Sequence, residues 1–92
     1  MADPLIVLVT GASQGIGAAT ARRFAEAGHH VVLAARGQEK LEAVAASIGK
    51  AALPVVTDVS DPASVAALFD RIKGVHGRLD AVFNNAGVNV PP

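Results

Sequence analysis

Ninety-two residues, 51% of them hydrophobic and 17% charged, can build one core but not a second domain beside it. Eight basic and eight acidic residues cancel to a formal charge of +0, and the basic ones are scattered, so the chain carries no electrostatic footprint for nucleic acid or an anionic membrane. There is no cysteine, hence no disulfide or thiolate metal site, and "PLIVLV" is too short to span a bilayer and follows Asp3 rather than a basic residue, so a cytoplasmic location is expected.

In chain order, Leu5 to Val9 is an unbroken run of leucine and β-branched residues between Pro4 and Gly11, the pattern of a strand buried on both faces of a parallel sheet. Ile16, Thr20, Phe24 and Ala27 then recur at helical spacing, Arg22, Arg23 and Glu26 fall elsewhere, and Gly28 offers a left-handed stop, which predicts a first helix with the former set as its apolar stripe. "HVVLAA" gives a second strand, and Leu41, Val44, Ala45 and Ile48 give a second helix that ends at Gly49. "LPVVTDV" is a third strand, placed at a sheet edge because Pro54 cannot donate to a ladder. Asp61 before Pro62 reads as an N-cap with proline in the first turn, followed by the stripe Val65, Leu68, Phe69 and Ile72 up to Gly77. "LDAVFNNAG" is a fourth strand. His29, His30 and His76 lack the spacing of a metal cluster and read as surface or helix-end residues, so no metal is expected.

The order βαβαβαβ implies an α/β fold with parallel pairing through right-handed crossovers. The simplest winding is a partial Rossmann fold, a doubly wound parallel sheet with strand order 3-2-1-4, which puts Pro54 on the edge. It also places the first two helices on one face and the third on the other, leaving the second face under-covered and the fourth strand with an open edge.

At the joint between the first strand and the first helix stands "TGASQGIG", with Gly11, Gly15 and Gly17. A glycine loop opening a helix presents unpaired N–H groups at the positive end of the helix dipole, a place suited to phosphate. The competing reading is a tight turn with helix-packing glycines. The spacing G-x-x-x-G-x-G is neither the P-loop, since Ile16, Gly17 and Ala18 stand where Gly-Lys-Ser/Thr is required, nor the common G-x-G-x-x-G fingerprint.

"TGASQGIG", "DVSD" after the third strand and "NNAG" at Asn84 to Gly87 together resemble the short-chain dehydrogenases/reductases. The resemblance covers essentially the whole chain and only the N-terminal part of that family's domain, so residues 1–92 are expected to form the first half of a dinucleotide-binding domain. It implies that Gly11, Ser13, Gln14, Gly15, Ile16 and Gly17 line the adenosine ribose and pyrophosphate. Asp58 and Val59 would hold the adenine ring, the competing reading of Asp58 being a helix cap near Asp61. Asn85, Ala86 and Gly87 would pass under the cofactor ribose, while Asn84 either ties the central strands together or is a buried amide satisfying backbone groups.

About 20 residues after the glycine loop, an acidic residue would hold a ribose 2′-hydroxyl; here the place reads Ala34, Ala35, Arg36. A guanidinium suits a 2′-phosphate, which favours NADP over NAD, against the alternative that Arg36 is a solvated residue opening the second helix. Gln14 stands where the family often adds a basic residue for NADP.

The family's hydride transfer uses a Tyr-x-x-x-Lys pair with a serine and an asparagine, all beyond "NNAG". This sequence has no tyrosine, Lys40, Lys50 and Lys73 have no such partner, and no catalytic residue is assigned. The expected function is the NADP-binding portion of an oxidoreductase acting on a small carbonyl or alcohol, working as a homo-oligomer or together with the missing half. The alternative is a non-catalytic half-domain that binds a dinucleotide or a partner. An epimerase or methyltransferase would show different glycine spacing or an acidic second-strand terminus.

Overall fold

The computed structural model describes residues 3–85. The elements are β1 (Ile6–Thr10), α1 (Gly15–Glu26), β2 (His30–Ala35), α2 (Gln38–Ile48), β3 (Ala52–Val56), α3 (Pro62–His76) and β4 (Ala81–Asn84). All pairings are parallel and the strand order is β3-β2-β1-β4, with Leu8 opposite Val32 on one side and Val82 on the other. The expected winding is the one observed. Pro54 sits on β3, opposite Leu33 and at the sheet edge, where its missing N–H interrupts no ladder.

β1 is buried along its whole length because its side chains alternate between two covered faces. Val7, Val9, Val31, Leu33 and Ala35 point to the side covered by α1 and α2, where they meet Ala18, Ala21, Leu41 and Val44. Ile6, Leu8, Val32 and Ala34 point to the other side and meet only Leu68 and Ile72 of α3 as buried helix residues. One helix does not cover that face: Val82, in register with Leu8, is 53% exposed, and Phe69 of α3 is 46% exposed.

The helix ends follow the chain's own punctuation. Gly28 at φ 97 accommodates the turn out of α1, with His29 N–H donating to the Phe24 carbonyl at 3.1 Å, and Gly77 closes α3 in the left-handed region at φ 73. At the amino end of the sheet, Leu5 N–H donates to His29 Nδ1 at 3.0 Å and Ile6 N–H to Asp80 Oδ2 at 2.7 Å. Arg78 holds the same carboxylate, and this pairing, together with the Ile6 N–H, keeps Asp80 below the usual carboxylate range.

Two sequence expectations need correction. The stripe Ile16, Thr20, Phe24 and Ala27 is not the buried face of α1: Gly17, Ala18 and Ala21 are buried instead, and Ile16 is 69% exposed. The helix sits so close to the sheet that only glycine and alanine fit beneath it, so the large residues turn outward and only Phe24 rests partly on the core. The third strand also ends earlier than "LPVVTDV" suggests. Thr57 still donates its N–H to the Ala35 carbonyl, but its hydroxyl turns back to the Val55 carbonyl at 2.9 Å and the chain bends at Asp58.

Candidate functional site

In a parallel sheet all strands deliver the chain to the same edge, and three strand-to-helix turns open there. The first, between β1 and α1, contains Gly11 at φ 63 and Gly15 at φ 61, conformations that glycine adopts without strain. Gln14 is extended at φ −165 before the helix, and its side chain caps nothing. The first-turn N–H groups of α1 have no intrahelical acceptor by helix geometry, so this end can receive an anion. Gly17 is buried against the loop: a Cβ added there would run into the Gly11 carbonyl and come within 3.1 Å of Asn85 Nδ2. The third glycine therefore sets how tightly α1 closes on the loop.

Thr10, 7% exposed at the end of β1, fixes the floor of this turn. Its hydroxyl donates to Asn84 Oδ1 at 2.8 Å and accepts from Asn85 N–H at 2.9 Å, joining β1 to β4 across 74 and 75 residues. The expectation that Asn84 ties the central strands is met in this bond. Thr10 itself was not singled out from the sequence. Its one signal was a hydroxyl directly before the glycine loop, opposite a strand that ends in two asparagines.

The second turn brings Arg36 and Gly37 out of β2 with no carboxylate at the strand end, and α2 starts at Gln38 without a side-chain cap. The third turn carries Asp58. Its Oδ1 accepts from Ser60 Oγ at 2.6 Å and from Ser60 N–H at 2.9 Å, while its own N–H donates to Ser64 Oγ at 2.9 Å. The two Ser60 bonds, and then the charge of Arg36, hold the Asp58 carboxyl below its ordinary value, so it is an anion at neutral pH. Asp61, not Asp58, caps α3, accepting from Ala63 N–H at 3.0 Å.

These three turns wall a cleft of about 1070 Å³ to which Gly11, Ser13, Gln14, Arg36, Asp58 and Val59 all contribute. Its size is that of a small-molecule or cofactor site. Six of the residues singled out from the sequence thus converge. The others are placed differently: Gly15 and Gly17 form the helix start beside the cleft, and the Ile16 side chain lines a shallow groove on the outer side of α1 with Phe24 and Ala27. Asn85 lies at the base of the glycine loop through Thr10. Ala86 and Gly87 fall outside the described residues. Lys40, not assigned to the site from the sequence, also lines the cleft, and its Nζ donates to Gln14 Oε1 at 3.0 Å. Among the described residues no group of histidine or acidic side chains is arranged to hold a metal, and no helix is long and apolar enough to cross a membrane.

A family model described as short chain dehydrogenase matches residues 5–92. The chain is 44% identical over 89 residues to meso-2,3-butanediol dehydrogenase of Serratia marcescens, covering 96% of this chain and 36% of that protein. It is 47% identical over 88 residues to cis-4-hydroxycyclohexanecarboxylate dehydrogenase of Sinomonas cyclohexanicum, covering 94% and 35%. Among solved structures, L-sorbose reductase from Gluconobacter frateurii, complexed with NADPH and L-sorbose, superposes with a TM-score of 0.89 at 34% identity, covering 98% of this chain and 36% of that one. The 3-ketoacyl-(acyl-carrier-protein) reductase from Brucella melitensis, complexed with NADH, gives a TM-score of 0.83 at 38% identity, covering 85% and 32%. The chain spans about a third of the length of these relatives.

Proposed function

Because the chain belongs to the short-chain dehydrogenase family, we propose that its cleft holds NADP and that it forms the cofactor-binding portion of an oxidoreductase acting on a small carbonyl or alcohol. The observation that carries this reading is the convergence of the uncapped glycine loop, Arg36 and Asp58 on one cleft outside the carboxyl ends of the strands. That cleft opens outside the carboxyl ends of β1, β2 and β3, and its β1 wall borders the point between β1 and β4 where the winding reverses, the region in which open α/β sheets bind ligands. When bound, the cofactor would give a hydride to a carbonyl in its reduced form or take one from an alcohol in its oxidised form.

The chain's own residues bind and orient. Gly11, Ser13, Gln14, Gly15, Ile16 and Gly17 present backbone and short side chains to the pyrophosphate and the adenosine ribose, with the dipole of α1 adding positive potential. Arg36 pairs with the 2′-phosphate, the role its planar guanidinium fills better than a lysine would. Ser60 fixes the Asp58 carboxylate by one oxygen, leaving Oδ2 to accept from the adenine amino group while Val59 N–H donates to the ring. We assign Asn85, whose N–H is held by Thr10, and the following Ala86 and Gly87 to the recognition of the cofactor ribose.

The sequence has no tyrosine, and we assign the proton-handling tyrosine and lysine to the portion of the relatives' length that this chain does not span. The exposed Val82, Phe83 and Phe69 fit association with that portion or with another subunit. The cysteine-free composition suits the cytoplasm, where we place the enzyme.

Titration of the full chain with NADPH and NADH tests the cofactor assignment. Arg36→Asp replaces a charge-assisted pair with repulsion and is expected to weaken NADPH by about a hundredfold while changing NADH severalfold at most. Equal losses for both cofactors would remove the 2′-phosphate role.

A further inference from the structure

The glycine loop is neutral at Gln14, yet a cation is delivered to it from another element. Lys40 lies in the first turn of α2, and its ammonium reaches across 26 residues of sequence to Gln14 Oε1 at 3.0 Å. The first turn of α2 thus carries one cation, Lys40, beside one carboxylate, Glu39, and has no side-chain cap.

Three carboxylates line the cleft with Lys40, and two of them are held by side chains other than Lys40. Glu42 accepts from Gln38 Nε2 at 3.1 Å, Asp58 is held by Ser60, and Glu39 makes no ion pair among the described residues. Lys40 is in no ion pair among them either, and Gln14 occupies one of its three donors. A phosphate monoester carries between about −1.5 and −2 charges at neutral pH, more than one guanidinium neutralises.

We propose that Lys40, positioned by Gln14, is the second cation of the adenosine 2′-phosphate site, so that the monoester is taken between the Arg36 guanidinium and the Lys40 ammonium above the uncapped start of α2. This inference rests on the NADP reading and sharpens it, since it assigns the specificity for phosphate to two elements rather than to Arg36 alone. Gln14 is a positioning residue: its amide carbonyl holds a flexible side chain over the cleft in advance and lowers the entropy lost when the anion binds.

The test is calorimetric titration of the full chain with adenosine 2′,5′-bisphosphate and with AMP, two probes that differ only in the 2′-phosphate. The wild type is expected to prefer the bisphosphate. Lys40→Ala should cut that preference about tenfold with AMP affinity unchanged, Lys40→Arg should restore most of it, and Gln14→Ala should cost about threefold. Raising the salt concentration should narrow the gap between wild type and Lys40→Ala, which a packing role would not do. If Arg36→Ala abolishes the preference and Lys40→Ala leaves it intact, the Lys40 inference is overturned while the NADP reading stands. Equal weakening of both probes by Lys40→Ala would also overturn it. A wild type that does not distinguish the probes would remove the NADP reading and this inference together.

Discussion

Helices α1 and α3 both begin at the carboxyl end of the sheet, yet their first turns are finished in opposite ways. Asp61 turns its carboxylate onto Ala63 N–H and Pro62 removes a donor that would otherwise be left over, so α3 is sealed by its own residues. Gln14 leaves α1 open, and its side chain reaches instead for Lys40. The two helices also meet the sheet differently: α3 buries Leu68 and Ile72, whereas α1 buries Gly17, Ala18 and Ala21. Where a helix only has to cover the core, large side chains and a cap do the work. At α1, where we propose that backbone N–H groups meet a ligand, small residues and an uncapped N-terminus replace them.

Breaking the tight end of this contrast should have the largest effect. Gly17→Ala forces a methyl group into the Gly11 carbonyl, and because that atom is backbone the loop itself must move. Overpacking of this kind costs about 1–3 kcal/mol, and NADPH binding is expected to fall by at least about a hundredfold, the scale on which misplaced groups act. Gly15→Ala meets open space and strains only the left-handed backbone, so it should cost roughly 1–2 kcal/mol and leave more of the binding. Urea unfolding and fluorescence titration of the two variants separate steric from conformational demand; similar binding losses would contradict the assigned role of Gly17.

A smaller effect sharpens the capping contrast. Asp61→Ala should destabilise the fold by about 1 kcal/mol in urea unfolding, whereas Gln14→Ala removes no cap and should leave stability within about 0.5 kcal/mol. Equal losses would mean that α1 is not open as described.

The smallest effect lies at the opposite end of the sheet, away from the cleft. Burial, and then the neighbouring His30 ring 5.4 Å away, hold His76 below its ordinary value of 6.5. The unfolded chain therefore takes up this proton first as the solution is acidified. Stability should fall as the pH drops below about 6.5 and level off once the folded ring is protonated as well. His76→Gln should flatten that part of a melting-temperature profile without altering cofactor affinity; an unchanged profile would assign the dependence elsewhere.

Much of the architecture was legible because it follows from local rules. Pro54 marked the edge strand, Asp61 and Pro62 marked a helix start, and the unbroken apolar run before Gly11 marked a central strand. The buried face of α1 was misread because hydrophobic periodicity favours large residues, while what decides here is the proximity of Gly17 to the Gly11 carbonyl, a contact between backbones. Thr10 and Lys40 were missed for a related reason. Their partners lie 74, 75 and 26 residues away, and no periodicity reports a hydrogen bond made across the fold. The cleft was legible as a set of residue types, but not as a set of side-chain pairings.

The central claim is that the open start of α1 is the dinucleotide's seat. It is tested most directly by mapping amide chemical shifts of the full, isotope-labelled chain during titration with NADPH. The account predicts the largest changes at Gly11, Gly15, Ile16 and Gly17, with further changes at Arg36, Asp58 and Val59 and none at His29, His30 or His76. Changes confined to the outer groove of α1 around Phe24, or no changes at saturating cofactor, would contradict it.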